Sequence, residues 1–595
     1  MKTFKNILLV YPEFPSNTYW SYKYALNFIN KKCAMPPLGL VTIAALFPEG
    51  YNLRLIDMNI QPLKSEDILW SDAVFVSAMI VQKNSMEKAI SECNKLNKLV
   101  VAGGAHITSS HNEINGVDHF VIGEAEDVII NLLNDLEKGC AIKIYSSPNK
   151  PDISNLKTPR FDLLDMDAYG SMAVQYSRGC PFHCEFCDIW SVYGNNPRLK
   201  KAETFIGELD ELYRLGWRGA IFVVDDNFIG NKKRAKEELL PTIMQWQKEH
   251  DFCYRFFTEA SINLADDEVL LALMRDAGFN SVFIGVETPS KESLKETGKI
   301  QNLKSDMKDS IKIIQSFGIE VMAGFIVGFD SDSDDIFKRQ IAFIQDTGIP
   351  QAMIGILNAL PGTKLYKKLD AEGRIISNSI GNNTHQMETN FKTKMESTKL
   401  KDGYKKVLSE IYDYNLKNYF DRCTKLLDNL GQTPYFQREI GFKEFIMLLK
   451  SIFKQPFTAY GWQYLKFTIR NLIKNANFFG EVMRFSIIGH HFHTITQQTI
   501  KIESIISELD TNYNRFYEQI KIKTSNALSN SKESVKDFVF LMRQQRIILQ
   551  SMRTKIKKLN KEFKHDITMK YFEISYKMSQ LLQNFEIQAA KNYHV

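Results

Sequence analysis

Short apolar runs alternate with amphipathic polar stretches over the first two thirds of the chain. Residues 7–11, 53–57, 73–77, 99–103 and 119–123 read as buried strands, with a helix over 36–45. That rhythm predicts a parallel, doubly wound α/β sheet over 1–147. Ligands of such sheets bind beyond the carboxyl ends of the strands, which here carry Tyr11, Asp57, Ser77, Gly103-Gly104 and Gly123-Glu124. Residues 148–172 hold Pro148, Pro151 and Pro159 with few apolar repeats, and read as a linker. Strands resume at 173–177, 220–227, 254–259, 281–287, 321–328 and 351–358, giving a second α/β domain over 173–385. Several of these strands end in carboxylates: Asp225-Asp226, Glu259 and Glu287. A lone strand-end carboxylate is more often a helix cap, but in α/β barrels functional groups gather at that face.

Beyond residue 385 the pattern turns helical. Residues 397–430 place Tyr404, Leu408, Ile411, Tyr412 and Leu416 at helical spacing. Residues 441–495 are apolar and aromatic (Phe442, Phe445, Phe453, Phe457, Trp462, Tyr464, Phe467), with seven lysines and arginines against Glu444 and Glu481. A helical domain over 386–499 with that composition suits an anionic membrane surface, or a cap packed over the barrel mouth. Residues 500–595 contain no proline or glycine and alternate charged with apolar positions. They predict long helices, as a coiled-coil-like appendage or an oligomerisation arm.

At 595 residues the chain is too long for one core. A net charge of +6 is small for that length and does not by itself call for nucleic acid. Eight scattered cysteines make no disulfide framework; Cys33, Cys93, Cys140, Cys253 and Cys423 read as small packing residues. The first ten residues run into a strand and carry no signal-peptide pattern. No run approaches the roughly 18 apolar residues that span a bilayer. A cytoplasmic protein is the expectation, with any membrane contact peripheral at the inner face.

The chemistry concentrates in residues 177–188. Cys180, Cys184 and Cys187 follow a C-x3-C-x2-C spacing, led by Arg178-Gly179 and with Phe186 before the last cysteine. Three thiolates would hold a four-iron cluster and leave one iron open to another ligand. Structural zinc normally takes four ligands; His183 is the available fourth, but it lies between two of the cysteines, where a tetrahedron is cramped. The motif resembles the cluster loop of the radical S-adenosylmethionine (SAM) enzymes. The resemblance implies a [4Fe–4S] cluster on Cys180, Cys184 and Cys187, SAM on its open iron, and a partial (β/α) barrel around them. It further implies SAM contacts from Phe186, from Asp225 or Asp226 to the amino group, and from Glu259, Glu287 and Gly324 around the ribose and adenine. Asp-Asp stands where that family commonly has Gly-Gly-Glu.

Pro-Pro-Leu-Gly at 36–39, Gly-Gly-Ala-His at 103–106 and Gly-Glu-Ala-Glu at 123–126, directly ahead of such a loop, resemble the cobalamin domain of B12-dependent radical SAM enzymes. That likeness implies corrinoid contacts from Tyr11, Pro37, Gly39, Ser77, Gly103, Gly104, Gly123 and Glu124. The chain has no Asp-x-His-x-x-Gly, so it implies a corrinoid without a histidine lower ligand; His106 and His111 read as ordinary loop residues. With the helical extension, the order of parts resembles the subgroup that includes the hopanoid methylases. It implies an enzyme that cleaves SAM to a 5′-deoxyadenosyl radical and methylates an unactivated carbon of an apolar or lipid small molecule from methylcobalamin. An electron donor resembling flavodoxin or ferredoxin and a peripheral membrane contact belong to the same expectation; nucleic acid does not. The rivals are a radical SAM reaction without methyl transfer, a tRNA methylthiotransferase, and a corrinoid- or iron-sensing binding protein. No residue stands out as a general base. His490, His491 and His493 look like metal ligands but have no acid nearby.

Overall fold

The computed structural model describes residues 4–15, 17–384, 387–431, 442–474, 476–527 and 531–591. The chain divides into two compact units, residues 1–493 and 494–595. The first contains two six-stranded parallel sheets.

The first sheet comprises β1 (Asn6–Tyr11), β2 (Asn52–Asp57), β3 (Ala73–Ser77), β4 (Leu99–Gly103), β5 (His119–Ile122) and β6 (Ile144–Ser146), in the order β2-β1-β3-β4-β5-β6. The pattern anticipated the first five; β6 alternates exposed and buried residues over only three positions, too short to register. Both faces are covered: Leu8, Val74 and Val100 enter one core cluster, and Ile7, Leu9 and Phe75 the other. That two-sided burial explains why these strands read as continuous apolar runs. The strand order reverses between β1 and β3, where doubly wound sheets open a crevice at their carboxyl edge.

The second sheet begins with β7 (Met172–Val174). A two-residue antiparallel pair, β8 (Ser177–Arg178) with β9 (Arg198–Leu199), then brackets the cysteine loop. The sheet continues through β10 (Ala220–Val223), β11 (Arg255–Ala260), β12 (Phe279–Glu287), β13 (Glu320–Val327) and β14 (Ala352–Ile356). Each strand pairs with the next in sequence, and β7 and β14 are left as edges. This is the wall of a barrel that does not close.

The periodic stretch 397–430 is two helices, Ser397–Ile411 and Lys417–Asn429. The break falls at residues 412–416, where Asp413 turns its carboxylate onto the Lys417 and Asn418 amides and Leu416 adopts a φ of 55°. That carboxylate satisfies donors a helix start leaves open. The helix Phe479–Ala527 carries the three histidines, each of which has a partner: His490 Nδ1 lies 2.6 Å from Tyr460 Oη, and Nε2 of His491 and His493 lie 3.0 and 2.9 Å from the Tyr19 and Tyr414 carbonyls. They are packing residues. In the second unit, Leu509, Phe516, Leu541, Met552, Ile567, Met578 and Phe585 form one core, and helices Ser531–Lys557 and Lys564–Lys591 run without interruption. No helix among the described residues is long and apolar enough to cross a membrane.

Candidate functional site

A cavity of about 800 Å³ lies within the first unit and draws its walls from the carboxyl edges of both sheets. All eight crevice residues singled out in the sequence line it: Tyr11, Pro37, Gly39, Ser77, Gly103, Gly104, Gly123 and Glu124. From the second sheet come Phe222, Asp226 and Glu259. Two glycines leave the first-sheet wall open, because a Cβ on Gly39 or Gly123 would meet nothing within 4 Å. Gly104 instead serves close approach: it sits at φ +99°, and a Cβ there would lie 2.6 Å from Ser77 Oγ. A glycine-lined cavity of this volume leaves room for a large ligand such as a corrin. His106 and His111 are not among the lining residues. His106 is buried with both ring nitrogens unpartnered, and burial drives its pKa down to about 4.

The cysteine loop is clamped at both ends. Asp225 accepts the Tyr176 amide at 2.7 Å and the Ser177 hydroxyl at 2.6 Å, and Asp226 accepts the Gly179 amide at 3.1 Å. Gly179 is required at φ +98°, since a Cβ would strike the Gly194 carbonyl oxygen at 2.8 Å. Further on, Trp190 Nε1 donates to the Cys184 carbonyl at 3.3 Å, and Glu185 donates to Thr297 and accepts from Leu365 through its backbone. Burial pushes all three thiols above the ordinary cysteine range, so deprotonation there calls for a metal to compensate it. Among the described residues, no three metal-ligating side chains converge on a single ion. A four-iron cube does not ask that of them, because each thiolate takes a different iron. His183 lies on the outside of the loop, with Nε2 3.1 Å from Asn195 Nδ2. The donor set fits a cluster better than a zinc ion.

The structure separates the SAM candidates. Asp226 and Glu259 reach the cavity. Burial raises their pKa values to about 6 and about 8, Asp226 adding to the latter. Asp225 does not line the cavity, since both its oxygens are spent on the loop. Glu287 lies at φ 63° and is paired at 2.5 Å with Lys299 Nζ, away from the cavity wall. Gly324 makes room for Phe283, whose Cζ would sit 3.0 Å from a Cβ there; Phe283 in turn packs against Trp20, a cavity residue. Phe186 packs on Phe329 with ring centroids 6.2 Å apart.

Three features escaped the sequence reading. Lys299 lies behind the loop, 5.9 Å from the Phe186 ring centroid. Burial opposes its charge, but Glu287 and the thiols of Cys184 and Cys187 more than offset that and hold the ammonium above the usual lysine range. Gln301 Nε2 lies 3.9 Å from Cys184 Sγ. The third is a buried charge cluster joining the crevice to the loop. Arg178 Nη1 contacts Glu124 and Glu126, each at 2.7 Å, and Arg198 forks onto Glu124 at 2.8 and 3.0 Å. Glu124, expected as a corrinoid contact, therefore has both oxygens engaged by arginines. Arg178, two residues ahead of Cys180, and the Gly-Glu-Ala-Glu run at 123–126 each carried a sequence signal, but nothing in the sequence joined them or pointed to Arg198.

Comparison with known proteins finds matches for all three parts of the first unit. A B12-binding domain model matches residues 28–133, the radical SAM superfamily model residues 174–344, and a domain of unknown function (DUF4070) residues 363–504. An uncharacterized methyltransferase of Synechocystis sp. is 41% identical over 71% of this chain and 79% of its own length. The hopanoid C-2 methylase of Rhodopseudomonas palustris is 31% identical over 82% of this chain and 93% of its own. In fold, the chain is similar to the radical SAM methyltransferase TsrM from Kitasatospora setae, at a TM-score of 0.50 and 15% identity over 63% of this chain and 76% of that one.

Proposed function

The chain belongs to the family of B12-binding radical SAM enzymes, and from that premise we propose that it methylates an unactivated carbon of an apolar or lipid substrate with SAM, a [4Fe–4S] cluster and cobalamin. One observation carries the reading: residues from both sheet edges, the corrinoid candidates with Asp226 and Glu259, wall a single cavity. Cys180, Cys184 and Cys187 are not among the lining residues, so the cavity would hold the corrinoid and the substrate beside the carboxylates offered to SAM, with the cluster behind that wall. When bound, these groups supply one-electron cleavage of SAM, hydrogen abstraction and a transferable methyl group. Cys180, Cys184 and Cys187 would hold the cluster, and Asp225 fixes the approach to their loop. Asp226 and Glu259 offer carboxyl groups to the ammonium and hydroxyls of SAM. Trp20 and Phe222 give the cavity apolar walls that exclude water. The likeness to hopanoid C-2 methylase supports an extended apolar substrate. A flavodoxin- or ferredoxin-like donor and a peripheral membrane contact are part of the same proposal. The methylthiotransferase rival carries a β-barrel after its catalytic domain, whereas the described residues between 397 and 591 form helices joined by short turns and include no strand.

Product mass tests the reaction type: methylation adds one methyl group to the substrate, while ring closure removes hydrogens. Two substitutions test the site. Gly39→Leu projects into the cavity from the helix Leu38–Ala44 and improves local helix propensity by roughly 0.5–1 kcal/mol. Thermal stability is expected to hold while corrinoid retained after desalting falls roughly tenfold; undiminished retention would place the corrinoid elsewhere. Asp226→Asn is expected to weaken SAM binding by roughly ten- to a hundredfold, the worth of a charge-assisted hydrogen bond, with iron content unchanged. Asp225→Asn should do the reverse and lower iron content first. Equal effects from both would remove the distinction between them.

A further inference from the structure

The helix Gly461–Lys474 is apolar on two opposite sides. Its inner side is buried: Phe467 stacks on Phe420 with centroids 4.8 Å apart, and Tyr464 Oη lies 3.1 Å from Ser451 Oγ of the helix Phe442–Lys454. Its outer side carries Trp462, Leu465, Ile469 and Ile473, spaced as one helical stripe. Trp462 is 74% exposed and Ile473 82%. Beside them, Phe453 and Phe457 are 73% and 85% exposed; the side chains of Phe442, Lys443, Glu444 and Phe445 lie outside the described residues. A surface helix ordinarily has one apolar stripe and buries it. This one has already buried a stripe and presents a second, and a dense exposed apolar patch marks an interaction surface.

Charge identifies the partner. Residues 446–474 contain no Asp or Glu, against Lys450, Lys454, Lys466, Arg470 and Lys474. Lys450 is held by Asn30 at 2.5 Å and Lys474 by Asp428 at 2.7 Å. Lys466 and Arg470 flank the outer stripe and are exposed. In a two-fold contact with a second copy, this all-basic patch would face its own like charge. We propose that the Trp462–Ile473 face docks on an anionic lipid surface, with the aromatic and aliphatic side chains in the interface and Lys466 and Arg470 against the headgroup phosphates. This deepens the proposed methylase reading by giving a lipid substrate its route, but the exposed stripe stands without it.

The test is flotation of the full-length reconstituted protein with phosphatidylcholine vesicles, with and without phosphatidylglycerol, and with 5′-deoxyadenosine formation measured separately in buffer. Wild type is expected to float with the phosphatidylglycerol vesicles. Retention should fall roughly tenfold on phosphatidylcholine alone or in a Trp462→Ser/Ile469→Ser/Ile473→Ser variant, whose deoxyadenosine yield should match wild type because the three side chains already face solvent. Wild type left in solution, or a triple variant floating as well as wild type, would overturn the docking. So would a wild-type dimer that the triple variant dissolves without any vesicle binding. Failure of the enzymatic reading is separable, since it would remove deoxyadenosine and leave flotation intact.

Discussion

Cys184→Ala is expected to abolish reductive SAM cleavage, by about three orders of magnitude or more, while the protein remains folded. Cys184 is buried at the centre of the loop, its carbonyl held by Trp190 and its sulfur beside Gln301. Alanine keeps every backbone contact and loses only the thiol, a packing change of about 1 kcal/mol. The ligand set, by contrast, falls from three thiolates to two, and a cube then has two irons open to solvent. Iron and sulfide content, the visible charge-transfer band and deoxyadenosine yield should fall together. Cys93→Ala is the control: this buried thiol packs within the first sheet's core, so the substitution should leave all three unchanged. A Cys184→Ala protein that kept its iron and its activity would remove the cluster from this loop.

Arg178→Met carries the largest expected cost in stability. Arg178 is a tenth exposed and bridges Glu124 and Glu126 at 2.7 Å each, and Glu126 is a tenth exposed as well. Methionine fills similar volume but leaves the Glu126 carboxylate buried without its counter-charge. Breaking one side of a buried pair costs about 3–5 kcal/mol. Glu124 is partly spared because Arg198 still forks onto it, which places the expected loss toward the lower end. Because Arg178 leads into the cysteine loop and Glu124 lines the crevice, corrinoid and iron retention should drop together. A double-mutant cycle with Glu126→Gln, read by denaturant midpoints, isolates the pair: the double variant should be less destabilised than the sum of the singles, by about 1 kcal/mol or more. Strict additivity would show that the two side chains do not act as one cluster.

The parts of this site that follow from local pattern were legible in the sequence. Buried parallel strands are continuous apolar runs, so β1, β3, β4 and β5 could be read directly and the edge strand β2 by its alternation, and glycines after β4 and β5 marked the crevice floor. The cysteine spacing is itself local. Contacts made across the fold were not legible. Asp225 and Asp226 are neighbours in sequence, but Asp225 is committed wholly to the loop while Asp226 holds the Gly179 amide and also lines the cavity, and nothing in their order distinguishes them. Lys299 follows β12, more than a hundred residues after the cluster loop it approaches, and shares no spacing with it. Glu124 looked like a ligand contact because it follows Gly123 at the end of a strand, yet its partners Arg178 and Arg198 lie 54 and 74 residues away. For the helix Gly461–Lys474, periodicity revealed apolar positions, but only packing shows which of the two stripes is already covered.

The most direct measurement uses protein purified without oxygen, reconstituted with iron and sulfide, supplied with hydroxocobalamin and desalted. Its visible spectrum is recorded, and SAM and dithionite are then added, with 5′-deoxyadenosine followed by mass spectrometry. The expected result is deoxyadenosine formation by protein that retains a stoichiometric corrinoid band, with both cofactor signals assigned to one polypeptide. SAM left intact by protein with a full cluster, or deoxyadenosine formed while no corrinoid is retained, would contradict a cobalamin-dependent radical methylase.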